Sequence, residues 1–223
     1  MSDYTKSELN DMPYWERQHN NPADDSPVVI TMHYMTGTAV AMSFLLDGID
    51  FPLREIALQG THPSGYPEEG GYSWFERERD FYDVLSEAEQ EPLIRKEVDK
   101  IAAFIKALHG NYSGKFIVTG MSQGGDLSLH LAAYYPDLID LAIPMAGRLS
   151  EPMQPDGIES DNLPKVVILQ GADDLIVTVD DAKVAESYLK AQDYEVSLDV
   201  YEGVGHDISE DMVEKLRSSI RSL

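Results

Sequence analysis

The chain has 223 residues, no cysteine and a formal net charge of −23, from 40 acidic against 17 basic side chains. The missing cysteine excludes disulfides, thiolate metal sites and a cysteine nucleophile, and the charge argues against binding nucleic acid or an anionic membrane surface, both of which would be repelled. The N-terminus has no basic region followed by an apolar one and no apolar run reaches transmembrane length, so neither a signal peptide nor membrane insertion is expected and a cytoplasmic location is the default.

Residues 1–27 are polar and broken by Pro13, Pro22 and Pro27; they read as an N-terminal arm or irregular edge, with Tyr14 and Trp15 placed to pin it down. Residues 28–33 then read as a buried strand, 39–46 as a short helix and 54–59 as a second strand. A long loop rich in Gly, Pro and Ser covers 60–74. Ser86 and Glu89 have capping-box spacing, and Ile94, Val98, Ile101, Ala102, Ile105 and Leu108 recur at helical spacing until Gly110, read as the C-terminal cap. Strands are expected at 115–119, 138–145 and 165–170, helices at 125–134 and 180–192, a half-buried alternating strand at 196–200, and a last helix capped by Ser209. Strands alternating with helices predict a single α/β domain over 28–223, a mostly parallel sheet with helices on both faces, whose binding site lies beyond the carboxyl ends of the strands. No stretch is long enough for a separate cap domain, although 60–85 and 147–164 are placed to cover part of such a site.

The most informative stretch is Gly120-Met121-Ser122-Gln123-Gly124, a G-x-S-x-G pattern between an expected strand and an expected helix. A serine on that turn carries its hydroxyl at the apex, glycines let backbones approach, and the helix N-terminus favours developing negative charge. By itself the pattern also fits a tight turn that only packs a helix on a strand. A serine hydroxyl becomes a useful nucleophile only beside a base, which is usually oriented by a carboxylate. Both residue types follow later strands: Asp173 and Asp174 after 165–170, and His206 in the loop 203–207 before the last helix. The order serine, acid, histidine is that of acyl hydrolases of this architecture. Asp207, adjacent to His206, reads as a solvent or capping group. His33 is the second histidine near the site, and the others read as structural or surface residues. No histidine pair has metal-ligand spacing, so neither a metal nor a cofactor is expected.

These residues resemble an α/β-hydrolase, and within it the carboxylesterase/phospholipase group that includes acyl-protein thioesterase-like enzymes. The resemblance covers roughly 28–223. It is carried by Gly120-Met121-Ser122-Gln123-Gly124, by Gly171-x-x-Asp174 with Val177, by Gly205-His206 and by Gly70-Gly71-Tyr72-Ser73-Trp74-Phe75. Its register selects Asp174 over Asp173 and implies catalytic Ser122, Asp174 and His206. One oxyanion donor is expected from the N–H after the nucleophile, that of Gln123. The resemblance places the other on Met35, in a turn that reads H-G-x-G in the group. Here that turn is His33-Tyr34-Met35-Thr36-Gly37, with Tyr34 and Thr36 in place of both glycines, so a different path is expected for it. Tyr34, Trp74, Phe75 and Met145 are the candidate walls of an acyl pocket. The implied activity is hydrolysis of small to medium soluble carboxylic esters by a monomer or homodimer. The alternatives are a thioesterase and a non-catalytic binding protein that keeps the fold.

Overall fold

The computed structural model describes residues 4–64, 70–76, 84–158 and 160–223. Strand β3 (Val28–Met32) lies near the middle of an eight-stranded sheet, with β4 (Leu53–Leu58) on one side and β7 (Phe116–Met121) on the other. Beyond β7 follow β8 (Leu141–Met145), β9 (Lys165–Gly171) and β10 (Val196–Tyr201). All these neighbours pair in parallel. Parallel strands covered on both faces read as continuous apolar runs, and their side chains divide by alternation. Val28, Ile30 and Met32 enter one core layer with Phe116, Val118, Val166 and Ile168. Val29 enters the other with Ile117, Ile143, Val167 and Leu169.

The first layer is closed by α1 (Glu87–Leu108), α2 (Gln123–Tyr134) and α3 (Val179–Ala191). The second is closed by a 3₁₀ helix over Ala39–Leu46 and by α4 (Glu210–Arg221). The cap signals act as expected: the Ser86 N–H donates to the Glu89 carboxylate at 2.9 Å, and Ser209 Oγ accepts from the Met212 N–H at 3.3 Å. Gly110 behaves differently. The C-cap of α1 is His109 in ordinary right-handed geometry, and the helix unwinds through bonds such as Gly110 N–H to Ala107 O at 3.2 Å. Among the described residues, no helix is long and apolar enough to cross a membrane.

The N-terminal reading needs correction. Residues expected to form an arm or irregular edge include two regular strands, β1 (Thr5–Leu9) and β2 (Met12–His19), and β2 pairs antiparallel with β4. Asn10 and Asp11 both have positive φ (54° and 60°), the conformation of a two-residue hairpin turn that matches the twist of its strands. Tyr14 pins the hairpin by an edge-on contact with Phe104 of α1, ring centroids 5.3 Å apart, whereas Trp15 lies under the Lys6 ammonium. Arg17 and His19 close on the buried Glu55 of β4 at 2.8 and 3.0 Å. Two-residue strands β5 (His62–Pro63) and β6 (Tyr72–Ser73) pair within the expected long loop. Residues 65–69 and 77–83 of the stretch 60–85, and residue 159 of 147–164, lie outside the described residues.

Candidate active site

Strand β7 ends at Met121, α2 begins at Gln123, and Ser122 makes the turn with φ 55° and ψ −116°. Its N–H donates to Met145 O at 3.0 Å and its carbonyl accepts from the Asp126 N–H at 2.8 Å. The motif glycines act by close approach. A Cβ on Gly124 would lie 2.1 Å from Met32 O, so the first turn of α2 can rest against the end of β3 only without one. The strained residue is therefore the serine itself, held by backbone on both sides.

Two strands further across the sheet, β9 delivers Asp174. Its carboxylate is fully buried; Oδ1 accepts from the N–H groups of Ile176 (2.8 Å) and Val177 (2.9 Å), and Oδ2 faces His206 Nδ1 at 2.8 Å. Asp173 points to solvent and joins the structure through its backbone N–H, bonded to Val204 O at 2.9 Å. The pairing gives His206 a proton on Nδ1 and leaves Nε2 as an acceptor. Ser122 and His206 line the same cavity, 21% of the His206 side chain remaining exposed, and no hydrogen bond joins them among the described residues. Contacts of this kind are often long in unliganded sites and tighten on binding.

The turn after β3 keeps a tight path despite its two substitutions. The Gly37 N–H donates to Tyr34 O at 2.9 Å, and Thr36 takes φ 69°. Positive φ at the third position alone marks a type II β-turn. The turn is clamped from behind: His33 Nδ1–H donates to Tyr34 O (2.7 Å), the Tyr72 N–H donates to Gly37 O (2.9 Å), and Gly71 sits so close to Thr36 that a Cβ would be 2.1 Å from its carbonyl oxygen. His33 is itself fixed, Nε2 accepting from the Gly60 N–H at 2.9 Å, its ring stacked on Trp74 at 4.9 Å. A β-branched residue pays strain at positive φ. Thr36→Gly is therefore expected to stabilise the fold by about 1 kcal/mol, the relief exceeding the glycine's entropic cost; urea denaturation of the two proteins measures it.

A model of the phospholipase/carboxylesterase family matches residues 19–223. The chain belongs to the phospholipase/carboxylesterase family. Membership places it among hydrolases of the ester type, on an α/β-hydrolase fold with no separate cap evident among the described residues. Solved structures agree on the fold. A carboxylesterase from Mesorhizobium loti is similar at TM-score 0.76 and 20% identity, over 98% of this chain and 99% of that one. The Bacillus cereus carboxylesterase gives 0.76 and 16%, over 95% and 94%, and Zea mays acyl-protein thioesterase 2 gives 0.69 and 17%, over 94% and 97%. A search of curated proteins found no match.

In this family member a cavity of about 690 Å³ opens beside Ser122. Tyr34 and Met35 line it, with Met42, Phe44, Met121, Ile176 and Ile208. Trp74, Phe75 and Met145 do not, which corrects their assignment as pocket walls: all three are buried in the interior. Trp74 braces the turn from beneath, its indole N–H donating to His33 O at 2.8 Å. Its backbone N–H donates to Gln123 Oε1 at 3.0 Å, so the glutamine side chain ties this segment to the serine turn. Met145 ends β8 and packs into the second core layer. His33 likewise lies behind the turn, outside the cavity lining. The sequence reading missed Asp126 and Arg148, two charged residues of the lining. Asp126 stands four residues after Ser122, one helical turn along the same face, and that spacing was the available signal.

Strain concentrates here. Among the described residues, eight besides glycine have positive φ; Asn10, Asp11, Asn20, Asn21 and Asp193 are of the two types that tolerate it. The other three, Thr36, Ser122 and Ala146, follow β3, β7 and β8 at the same end of the sheet.

Burial pushes the pKa values of His33 and His130 down to about 4, against backbone hydrogen bonds that act the other way. Above the unfolded value of 6.5 both states are neutral and stability is fully present. Between 6.5 and 4 the unfolded chain takes up protons that the folded one refuses, so stability falls as pH falls, by up to about 1.4 kcal/mol per pH unit for each histidine. His130→Asn, which retains a donor for Asp126 O, is expected to flatten the fall in melting temperature across that window.

Proposed function

We propose that this protein is a serine carboxylesterase acting on small to medium carboxylic esters through an acyl-enzyme. The observation that carries the reading is the buried Asp174 carboxylate, 2.8 Å from His206 Nδ1, with His206 and the strained Ser122 on one cavity. Ser122 Oγ attacks the ester carbonyl while His206 Nε2 takes its proton. The imidazolium formed is stabilised by Asp174, which keeps its charge, and it returns the proton to the departing alcohol. Water, deprotonated by the same nitrogen, then releases the acid. The tetrahedral oxyanion sits between the N–H groups of Gln123 and Met35. Gln123 is the first residue of α2, so its N–H has no acceptor within the helix and the helix dipole adds to its pull; each donor is worth about 100- to 1000-fold in rate.

A thioesterase reading also has an observation behind it. Ile176 (68% exposed) forms an apolar lip on the cavity with half-exposed Tyr34 and Phe44, suited to an acyl chain. A chain-length series of p-nitrophenyl esters beside matched acyl thioesters separates the two.

A fluorophosphonate probe tests the central claim. The protein is expected to gain the mass of one phosphonyl group and Ser122→Ala to gain none. Unchanged mass of folded wild-type protein after long incubation would mean a binding protein that only keeps the fold.

A further inference from the structure

Asp174 has a further polar neighbour to which the mechanism above gives no role. Gln170, the last residue but one of β9, is fully buried, and its side-chain Nε2 lies 3.4 Å from Asp174 Oδ2, the oxygen that faces His206. The same nitrogen donates to Val177 O at 2.8 Å and to Gly171 O at 3.2 Å. Three acceptors around one atom fix the amide's orientation, because an oxygen in that place would face three others. Oε1, on the other arm, is buried with no hydrogen-bond partner among the described residues. An unpaired buried carbonyl costs stability, and an apolar side chain of the same length would avoid that cost. The four residues before it in β9, Val166, Val167, Ile168 and Leu169, are all apolar. The amide is kept at this position for what its nitrogen reaches.

We infer that Gln170 is a positioning residue for Asp174: it holds the loop from Gly171 to Val177 closed and so aims Oδ2 at His206 Nδ1. Gly171 and Val177 bracket the loop that carries the acid. The Val177 N–H is also one of the two donors that pin Asp174 Oδ1, at 2.9 Å. By gripping the Val177 carbonyl, Gln170 fixes the residue that fixes the carboxylate. The contact to Oδ2 is long for a hydrogen bond, so the 2.8 Å bond to Val177 O carries most of the positioning, while the amide dipole adds a donor on the side of the anion that the backbone N–H groups do not cover. An error in the direction of Oδ2 passes straight to the imidazole and from there to the base that Ser122 needs. The inference rests on the proposed esterase mechanism of Ser122, His206 and Asp174.

The test is a double-mutant cycle on a p-nitrophenyl ester. In the wild-type background Gln170→Met, which keeps the length and removes the donors, is expected to lower kcat by about 10- to 100-fold with KM within about twofold. In the Asp174→Asn background the same change is expected to cost less than about threefold, because the group it acts through is gone. A side chain that only held the fold would cost the same factor in both. Gln170→Glu is the conservative variant. Its carboxyl keeps one donor while protonated and becomes a second anion beside Asp174 when ionised, so its rate relative to wild type is expected to fall as pH rises. Thermal melting shows which variants are folded. Unchanged kcat in folded Gln170→Met, or equal losses in the two backgrounds, overturns the inference and leaves the esterase reading intact. If Gln170→Met does not fold, Gln170→Glu decides, and a ratio independent of pH overturns the inference. A folded wild type with no turnover and no fluorophosphonate labelling ends both readings.

Discussion

Replacing Asp174 by asparagine is expected to lower kcat by about three to four orders of magnitude, with the protein still folded. Oδ1 of Asp174 accepts from two backbone N–H groups, those of Ile176 and Val177. An asparagine would put its single carbonyl oxygen there, because its amide nitrogen cannot accept. The amide NH₂ would then face His206 Nδ1, where Oδ2 now stands at 2.8 Å. Two donors cannot share that contact, so the imidazole would move its proton to Nε2 and lose the lone pair that Ser122 needs. Asp173→Asn is the control, since that side chain points to solvent, and activity is expected to change by no more than about twofold. Initial rates on a p-nitrophenyl ester and thermal melting of both variants check the pair. Comparable losses in the two would contradict the assignment of Asp174.

Met35→Pro is expected to cost about 100- to 1000-fold in kcat while leaving stability nearly unchanged. Met35 occupies the second position of the type II turn closed by the Gly37 N–H and Tyr34 O, the position at which proline is favoured. The substitution removes one N–H and little else. Met35→Ala keeps the N–H and trims only the cavity wall, so it should lose far less. A Met35→Pro protein with full kcat and an unchanged melting temperature would mean that the oxyanion is held elsewhere.

The elements that build the active end of the sheet were legible because they are buried on both faces. Strands β3, β7 and β8 consist almost wholly of apolar or β-branched residues, β4 and β9 keep an apolar majority, and the glycine-bounded serine between β7 and α2 left few alternatives. The N-terminal hairpin was not legible by the same signal. Its strands Thr5–Leu9 and Met12–His19 are half polar and sit at an edge, where pairing depends on backbone rather than on apolar alternation; the telling residues were Asn10 and Asp11. Trp74 and Phe75 were recognised as important but placed one layer too near the substrate, because a large side chain beneath a turn and one on a pocket wall leave the same mark in a sequence. The conformation of the turn at Tyr34-Met35-Thr36 was not legible: contacts from His33, Gly71 and Tyr72 hold Thr36 at positive φ, which a β-branched residue does not signal. Arg148 left no periodic signal at all, being a single charged residue in a loop whose direction is set by Ala146 and Gly147.

Thr36, Ser122 and Ala146 bear on how the protein would respond to laboratory evolution. A library selected for heat resistance alone would be rewarded first at these positions, since relaxing any of them relieves backbone strain and raises the melting point. Each such gain would soften the frame around Ser122, the turn after β3 or the loop that follows β8. Survivors would be sturdier and progressively less active. A screen that scores turnover after heating would instead draw its improvements from the rest of the molecule and keep all three.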